Sequence, residues 1–97
     1  MDNKNQAKKP LILLKIQTKE GVSFNDSVKA VTSFNEKGIF DVLPEHENFI
    51  SVIKDKIIIH TKDGGTKEMK IDNGVLKVYG NEAHIFLRLT QPNVKPS

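Results

Sequence analysis

From residue 11 onward, apolar side chains return at every second position, and a period of two marks strands that bury one face. Ile12, Leu14 and Ile16 alternate with Leu13, Lys15 and Gln17, and Met69 and Ile71 are separated by Lys70. Leu76 and Val78 flank Lys77, while Ile85, Leu87 and Leu89 flank Phe86 and Arg88. The run Ile57, Ile58, Ile59 does not alternate, which predicts a strand covered on both sides or placed at the centre of a packed sheet. The expected inward set is Ile12, Leu14, Ile16, Val28, Phe34, Val42, Ile57, Ile59, Leu76, Val78, Ile85 and Leu87. Phe24, Phe34, Phe40, Phe49 and Phe86 are read as core side chains.

Turn chemistry interrupts the alternation at short intervals. Asn35-Glu36-Lys37-Gly38, Asp63-Gly64-Gly65, Asp72-Asn73-Gly74 and Gly80-Asn81 supply Gly or Asn where a tight turn or a bulge needs positive φ. Between them lie about eight to ten short strands, the spacing of an all-β, two-sheet antiparallel sandwich. A parallel α/β fold is excluded, because no connection is long enough for a crossover helix. Residues 44–53 read as loop then strand, although Phe49 and Ile53 are also spaced for one helical turn opened by Pro44.

Residues 1–10 are polar and carry three lysines after the initiator, so they read as a flexible basic arm. Residues 91–97 read as a tail in which Pro92 and Pro96 prevent a helix. That leaves one domain over residues 11–90 of the 97, too short for a second core.

Composition narrows the function by exclusion. With 15 Lys and Arg against 12 Asp and Glu the net charge is +3, too small and dispersed an excess to name a nucleic-acid partner. The absence of cysteine removes disulfides, thiolate catalysis and thiolate zinc sites. Leu11 to Leu14 is far below the ~20 apolar residues needed to cross a bilayer, so the chain is expected to be soluble and cytoplasmic, without direct membrane insertion. His46, His60 and His84 have no second ligand at a metal-binding interval. Glu45, His46 and Glu47 are consecutive, so in an extended segment they point to opposite faces. Asp63-Gly64-Gly65-Thr66-Lys67 lacks the span and the strand-to-helix setting of a phosphate-binding loop. No catalytic residue, metal, cofactor or small-molecule substrate is expected, and binding through surfaces becomes the default function.

The block Asn35 to Ser51, NEKGIFDVLPEHENFIS, resembles the signature of the β-sandwich domain of F-type ATP synthase epsilon subunits: a Gly-containing turn, an apolar strand, Leu-Pro-x-His, then an apolar-Ser pair. Leu14 to Thr18 resembles the opening strand of that family, Val28 to Val31 a second apolar pair, Ile57 to Ile59 the central strand, and Asn73 to Val78 a Gly-led penultimate strand. The resemblance covers roughly Leu11 to Leu89. It departs at Glu45, where the family often has Gly before the histidine, and at Asn73, where it often has a second Gly. Glu45 tolerates positive φ poorly, so the loop is expected to differ there or to carry an altered contact.

What the resemblance implies is a non-catalytic rotor subunit, joining the gamma subunit to the c ring at the foot of the central stalk and peripheral to the membrane through the complex. It places Glu36, Lys37, Gly38, Ile39, Phe40 and Asp41 toward the c ring, and Thr18, His46 and Ser51 on the gamma-facing side. The family usually continues into a C-terminal helical hairpin, and Pro92 and Pro96 favour a naturally short form without it. The alternative is a free-standing β-sandwich adaptor that kept the fold but binds another protein.

Overall fold

The computed structural model describes residues 10–88; the two predicted tails lie outside it apart from Pro10, as does Leu89. Six strands follow one another: β1 (Ile12–Thr18), β2 (Gly21–Asn35), β3 (Gly38–Val42), β4 (Phe49–Thr61), β5 (Thr66–Tyr79) and β6 (Glu82–Leu87). The hydrogen-bonded order β1-β6-β5-β4-β2-β3, with a further β1–β2 pairing, closes the first five neighbours on themselves and leaves β3 as an edge strand on β2.

The all-β class expected from the alternation is therefore present, but with six strands instead of eight to ten. The difference lies in β2, β4 and β5, which run 15, 13 and 14 residues. β4 and β5 stay paired with each other over nearly their whole length, while β2 changes partners along its own. Residues Gly21 to Val28 of β2 pair with β1, and Val28 to Asn35 pair with β3 and β4. Asp72-Asn73-Gly74 does not end a strand. Lys54 pairs with Asn73 and Asp55 with Ile71, so Asp72 is the extra residue of a bulge that bends β5 without breaking it. One pairing, β1 with β6, is parallel, and the whole chain between them serves as its crossover without any helix.

Among the described residues thirteen apolar side chains form the buried core: Ile12, Leu14, Ile16, Val28, Val31, Val42, Ile53, Ile57, Ile59, Leu76, Val78, Ala83 and Ile85. Leu87 is half-buried against it, and Phe34, predicted inward, is not part of it. The cause is parity. Val28 pairs with Thr61 and Ala30 with His60, so Lys29 is an extra residue and every later side chain of β2 changes face. Val31 and Ser33 turn inward, and Phe34 turns to the outer face opposite Ile39 and Lys54. Phe24, Phe40 and Phe49 pack on the rim of the core, whereas Phe86 is 44% exposed, correcting the expectation that all five phenylalanines are core.

The segment before β4 is a loop, as its composition suggests. The His46 amide donates to the Leu43 carbonyl at 3.2 Å, closing a turn with Pro44 second and Glu45 third. The third position requires positive φ when the second is extended proline, and Glu45 sits at φ 66. Glu45 thus takes the left-handed conformation that glycine adopts without strain, held by its amide donating to Asn81 Oδ1 at 2.9 Å.

Candidate interaction surface

Residues directly opposite on neighbouring strands share a face, so the registers of β1, β6, β5 and β4 define what the outer side of the sheet presents. One cross-strand row runs Gln17, Phe86, Val75, Val52. The next runs Lys15, His84, Lys77, Ile50, and on the other side Asn73 and Lys54 continue to Phe34 and Ile39. Val52 is 66% exposed, Ile50 67%, Ile39 65% and Val75 40%. Ile50, Val52, Val75 and Phe86 adjoin by register and make an apolar patch on a hydrogen-bonded and therefore rigid surface, the kind of patch that marks a protein interface, with Ile39 beyond Lys54 on the edge strand.

A groove along this face is lined by Asn35, Glu36 and Lys37 of the β2–β3 turn and by Phe49 to Val52 and Lys54 of β4. It brings the expected c-ring segment next to the apolar rows. Within that segment Gly38 has φ 119 and closes the turn, the Lys37 amide donates to Asn35 Oδ1 at 2.8 Å, and Phe40 packs inward edge-on to Phe49 at 5.6 Å. Asp41 accepts from the Thr32 hydroxyl at 2.6 Å.

The three residues expected on the gamma-facing side are not brought together. Thr18 closes the β1–β2 hairpin, its hydroxyl accepting from the Glu20 amide at 3.1 Å and lying 3.4 Å from the Gly21 carbonyl. His46 sits in the loop before β4, its ring edge-on to Phe49 at 5.6 Å and its Nδ1 2.8 Å from the Glu47 carbonyl. Ser51 points away from Ile50 and Val52 and accepts from Asn35 Nδ2 at 3.2 Å.

Distant residues do converge elsewhere. Thr32 Oγ1 lies 2.6 Å from Asp41 Oδ1 and 2.8 Å from His60 Nε2, a hydroxyl, carboxylate and imidazole in one chain. Its single proton goes to Asp41, so His60 Nε2 donates to the hydroxyl instead of withdrawing its proton. Thr32 is also buried, so the trio ties β3 to β4 across β2 and presents no nucleophile. On the outer face, His84 Nε2 is 2.9 Å from Glu82 Oε1, with the Tyr79 ring stacked on the imidazole at 5.3 Å. Among the described residues no cluster of three or more His, Asp or Glu is placed to hold a metal, and no helix is long and apolar enough to cross a membrane.

At the far end the β4–β5 turn carries the electrostatics. The Lys62 ammonium, 3.1 Å from Asp26 Oδ1, and the Ser27 amide hold the Asp26 carboxyl below its usual range. The Thr61 hydroxyl at 2.6 Å, followed by the Gly65 amide, does the same for Asp63.

The exposed apolar row lies outside the residues that the family resemblance marks for contact. Its signal was Phe49-Ile50-Ser51-Val52-Ile53, apolar on both parities, where a strand with one solvated face shows only one apolar parity.

The sequence profile of the family described as ATP synthase, Delta/Epsilon chain, beta-sandwich domain matches residues 12–90. The ATP synthase epsilon chain of a Sulfurovum species is 39% identical over 69 residues, covering 70% of this chain and 54% of that one. That of a Nitratiruptor species is 39% identical over 71 residues, covering 72% and 55%. This chain thus spans about half the length of these curated relatives. Among solved structures, a chain in the Euglena gracilis mitochondrial ATP synthase, OSCP/F1/c-ring in rotational state 1, superposes with TM-score 0.74 at 17% identity, covering 90% of this chain and 64% of that one. A chain in the Tetrahymena thermophila mitochondrial ATP synthase central stalk/c-ring superposes with TM-score 0.70 at 14% identity, covering 86% and 67%. These two likenesses concern the fold.

Proposed function

This chain belongs to the ATP synthase delta/epsilon chain family through its β-sandwich domain, and from that premise we propose that it is a non-catalytic subunit of the central stalk, coupling the gamma subunit to the c ring of a proton- or sodium-translocating F-type ATP synthase. The observation that carries this reading is the apolar row Phe86, Val75, Val52 with Ile50 beside it, exposed on a sheet that is closed by hydrogen bonds. A rotor coupling has to transmit torque, and a patch built on strands keeps its geometry under load better than one built on loops.

Gamma covers that outer face. The turn Glu36-Lys37-Gly38 and the edge strand from Ile39 to Asp41 face the c ring. Thr18 and His46 act at the margins of the gamma interface, and Ser51 acts indirectly, anchoring the β2–β3 turn to the strand that carries Ile50 and Val52. The subunit is peripheral to the membrane through the complex, on its cytoplasmic side. It binds no nucleotide or metal and catalyses nothing itself, in keeping with a hydroxyl–imidazole–carboxylate trio whose proton order runs the wrong way for attack.

The test is association with purified gamma from the same enzyme. V52D and F86D replace exposed side chains, so both variants should fold, and each should weaken binding by more than about 1 kcal/mol, the scale of a central interface contact. Wild-type protein that is folded and fails to bind gamma would transfer the assignment to the free-standing adaptor.

A further inference from the structure

The apolar row is bordered by cations on both sides. Lys54 lies next to Val52 on one side, and on the other Lys15 and Lys77 flank His84 in register across three adjacent strands. None of these three lysines pairs with a carboxylate among the described residues; Lys77 rests over the Tyr79 ring at 5.7 Å. Glu82, in the row beyond Lys15 and Lys77, is already engaged by His84 Nε2 at 2.9 Å, and Glu36, which lines the groove with Lys54, makes no ion pair with it. The face is therefore an apolar strip with unneutralised positive margins. Elsewhere two lysines are ion-paired, Lys62 with Asp26 at 3.1 Å and Lys56 with Glu68 at 3.4 Å; what sets Lys15, Lys54 and Lys77 apart is their place in register beside the apolar row.

We propose that the partner surface covering this face carries an apolar strip edged by carboxylates, and that Lys15, Lys54 and Lys77 set the rate and orientation of docking. This rests on the reading that gamma is the partner. Charges on the margin of an interface act mainly on encounter, where their long reach orients the approaching surface, while the apolar centre governs how long the complex lasts. A partner with a neutral or basic margin would meet three ammonium groups it cannot satisfy.

The experiment measures association and dissociation rates of purified gamma with the wild type and with K15Q/K54Q/K77Q, at about 0.1 M and about 1 M salt, where the screening length falls from about 10 Å to about 3 Å. A K29Q/K62Q/K67Q variant removes the same net charge around the β4–β5 turn, and thermal melts confirm that both variants fold. The expected result is association about tenfold slower for the first variant at the lower salt. The deficit should shrink at the higher salt, with dissociation little changed and the control within about twofold of wild type. Equal association rates for all three proteins at the lower salt, with gamma still bound, would overturn the acidic-edged partner and leave the stalk reading intact. Equal slowing in both variants would reduce the effect to net charge and also overturn it. Absence of gamma binding by the wild type at either salt would overturn the stalk reading, and this inference with it.

Discussion

Glu45 occupies the left-handed region at φ 66 because the Pro44 turn demands it, and a non-glycine side chain there costs on the order of 1 kcal/mol or more. Glycine removes that cost and adds about 0.5 to 1 kcal/mol of backbone entropy to the unfolded chain, so E45G should gain roughly 0.5 kcal/mol. A urea melt showing a loss of more than about 1 kcal/mol would mean that Glu45 makes a contact the turn depends on. Gly74 is bound by space instead of dihedral angle. A Cβ at this position would lie 2.8 Å from the Phe86 carbonyl oxygen and 2.9 Å from Leu87 Cδ2. Backbone cannot yield as a side chain does, so G74A should destabilise by about 1 to 3 kcal/mol in the same melt, and an unchanged midpoint would contradict the close approach of β5 and β6. Glu45 was legible in the sequence as a misfit, since Pro-Glu stands where Pro-Gly fits a turn. Gly74 was legible only as a turn residue, because no local pattern reports how closely an opposing strand approaches.

At the level of elements, the acid response belongs to the β4–β5 hairpin. Asp63 and Asp26 both have folded carboxyls held below the ordinary value of 3.8, so the stability they contribute is present above that pH and is lost as pH falls through the lower folded values. The first consequence is local. The Thr61 hydroxyl donates to Asp63 Oδ1 at 2.6 Å and itself accepts from the Gly65 amide at 3.0 Å, and protonating Asp63 replaces a charged acceptor with a weaker neutral one, loosening this turn. Opening of the hairpin tip, followed through the Gly65 amide resonance below about pH 4, should precede loss of the Ile57 and Ile59 resonances, and D63A, which has no side-chain acceptor, should show the loosened tip already at neutral pH. Simultaneous loss of tip and core would contradict a locally held turn.

The strands themselves were legible because burial imposes a period of two, and each predicted strand segment between residues 11 and 88 lies within an observed strand. Their length was not. A bulge keeps a strand continuous while reversing its parity, so Lys29 sent Phe34 outward and Ser33 inward. Asp72 joined two predicted strands into one. An extra residue leaves no mark in one sequence beyond a break in alternation, and a turn leaves the same mark.

For the whole molecule, closure of the sheet decides where function resides. The core takes one face of every strand, and β4, β5 and β6 still present Ile50, Val52, Val75 and Phe86 on the other. A chain of 37% hydrophobic composition that leaves these side chains on a rigid surface is shaped to be covered. The candidate site was therefore only partly legible. The resemblance singled out the turn Glu36-Lys37-Gly38, whose Glu36 and Lys37 line the groove beside the apolar face, but Thr18, His46 and Ser51 do not outline that face, because proximity on a closed sheet follows register and not order in the chain. The most direct measurement places a photo-activatable aromatic residue at Phe86 or Val52, and in separate proteins at Lys62 or Lys67, and identifies what each captures in assembled ATP synthase. Adducts with gamma from positions 86 and 52, and none with gamma from 62 and 67, are the predicted result; gamma captured from the β4–β5 turn and not from the outer face would contradict it.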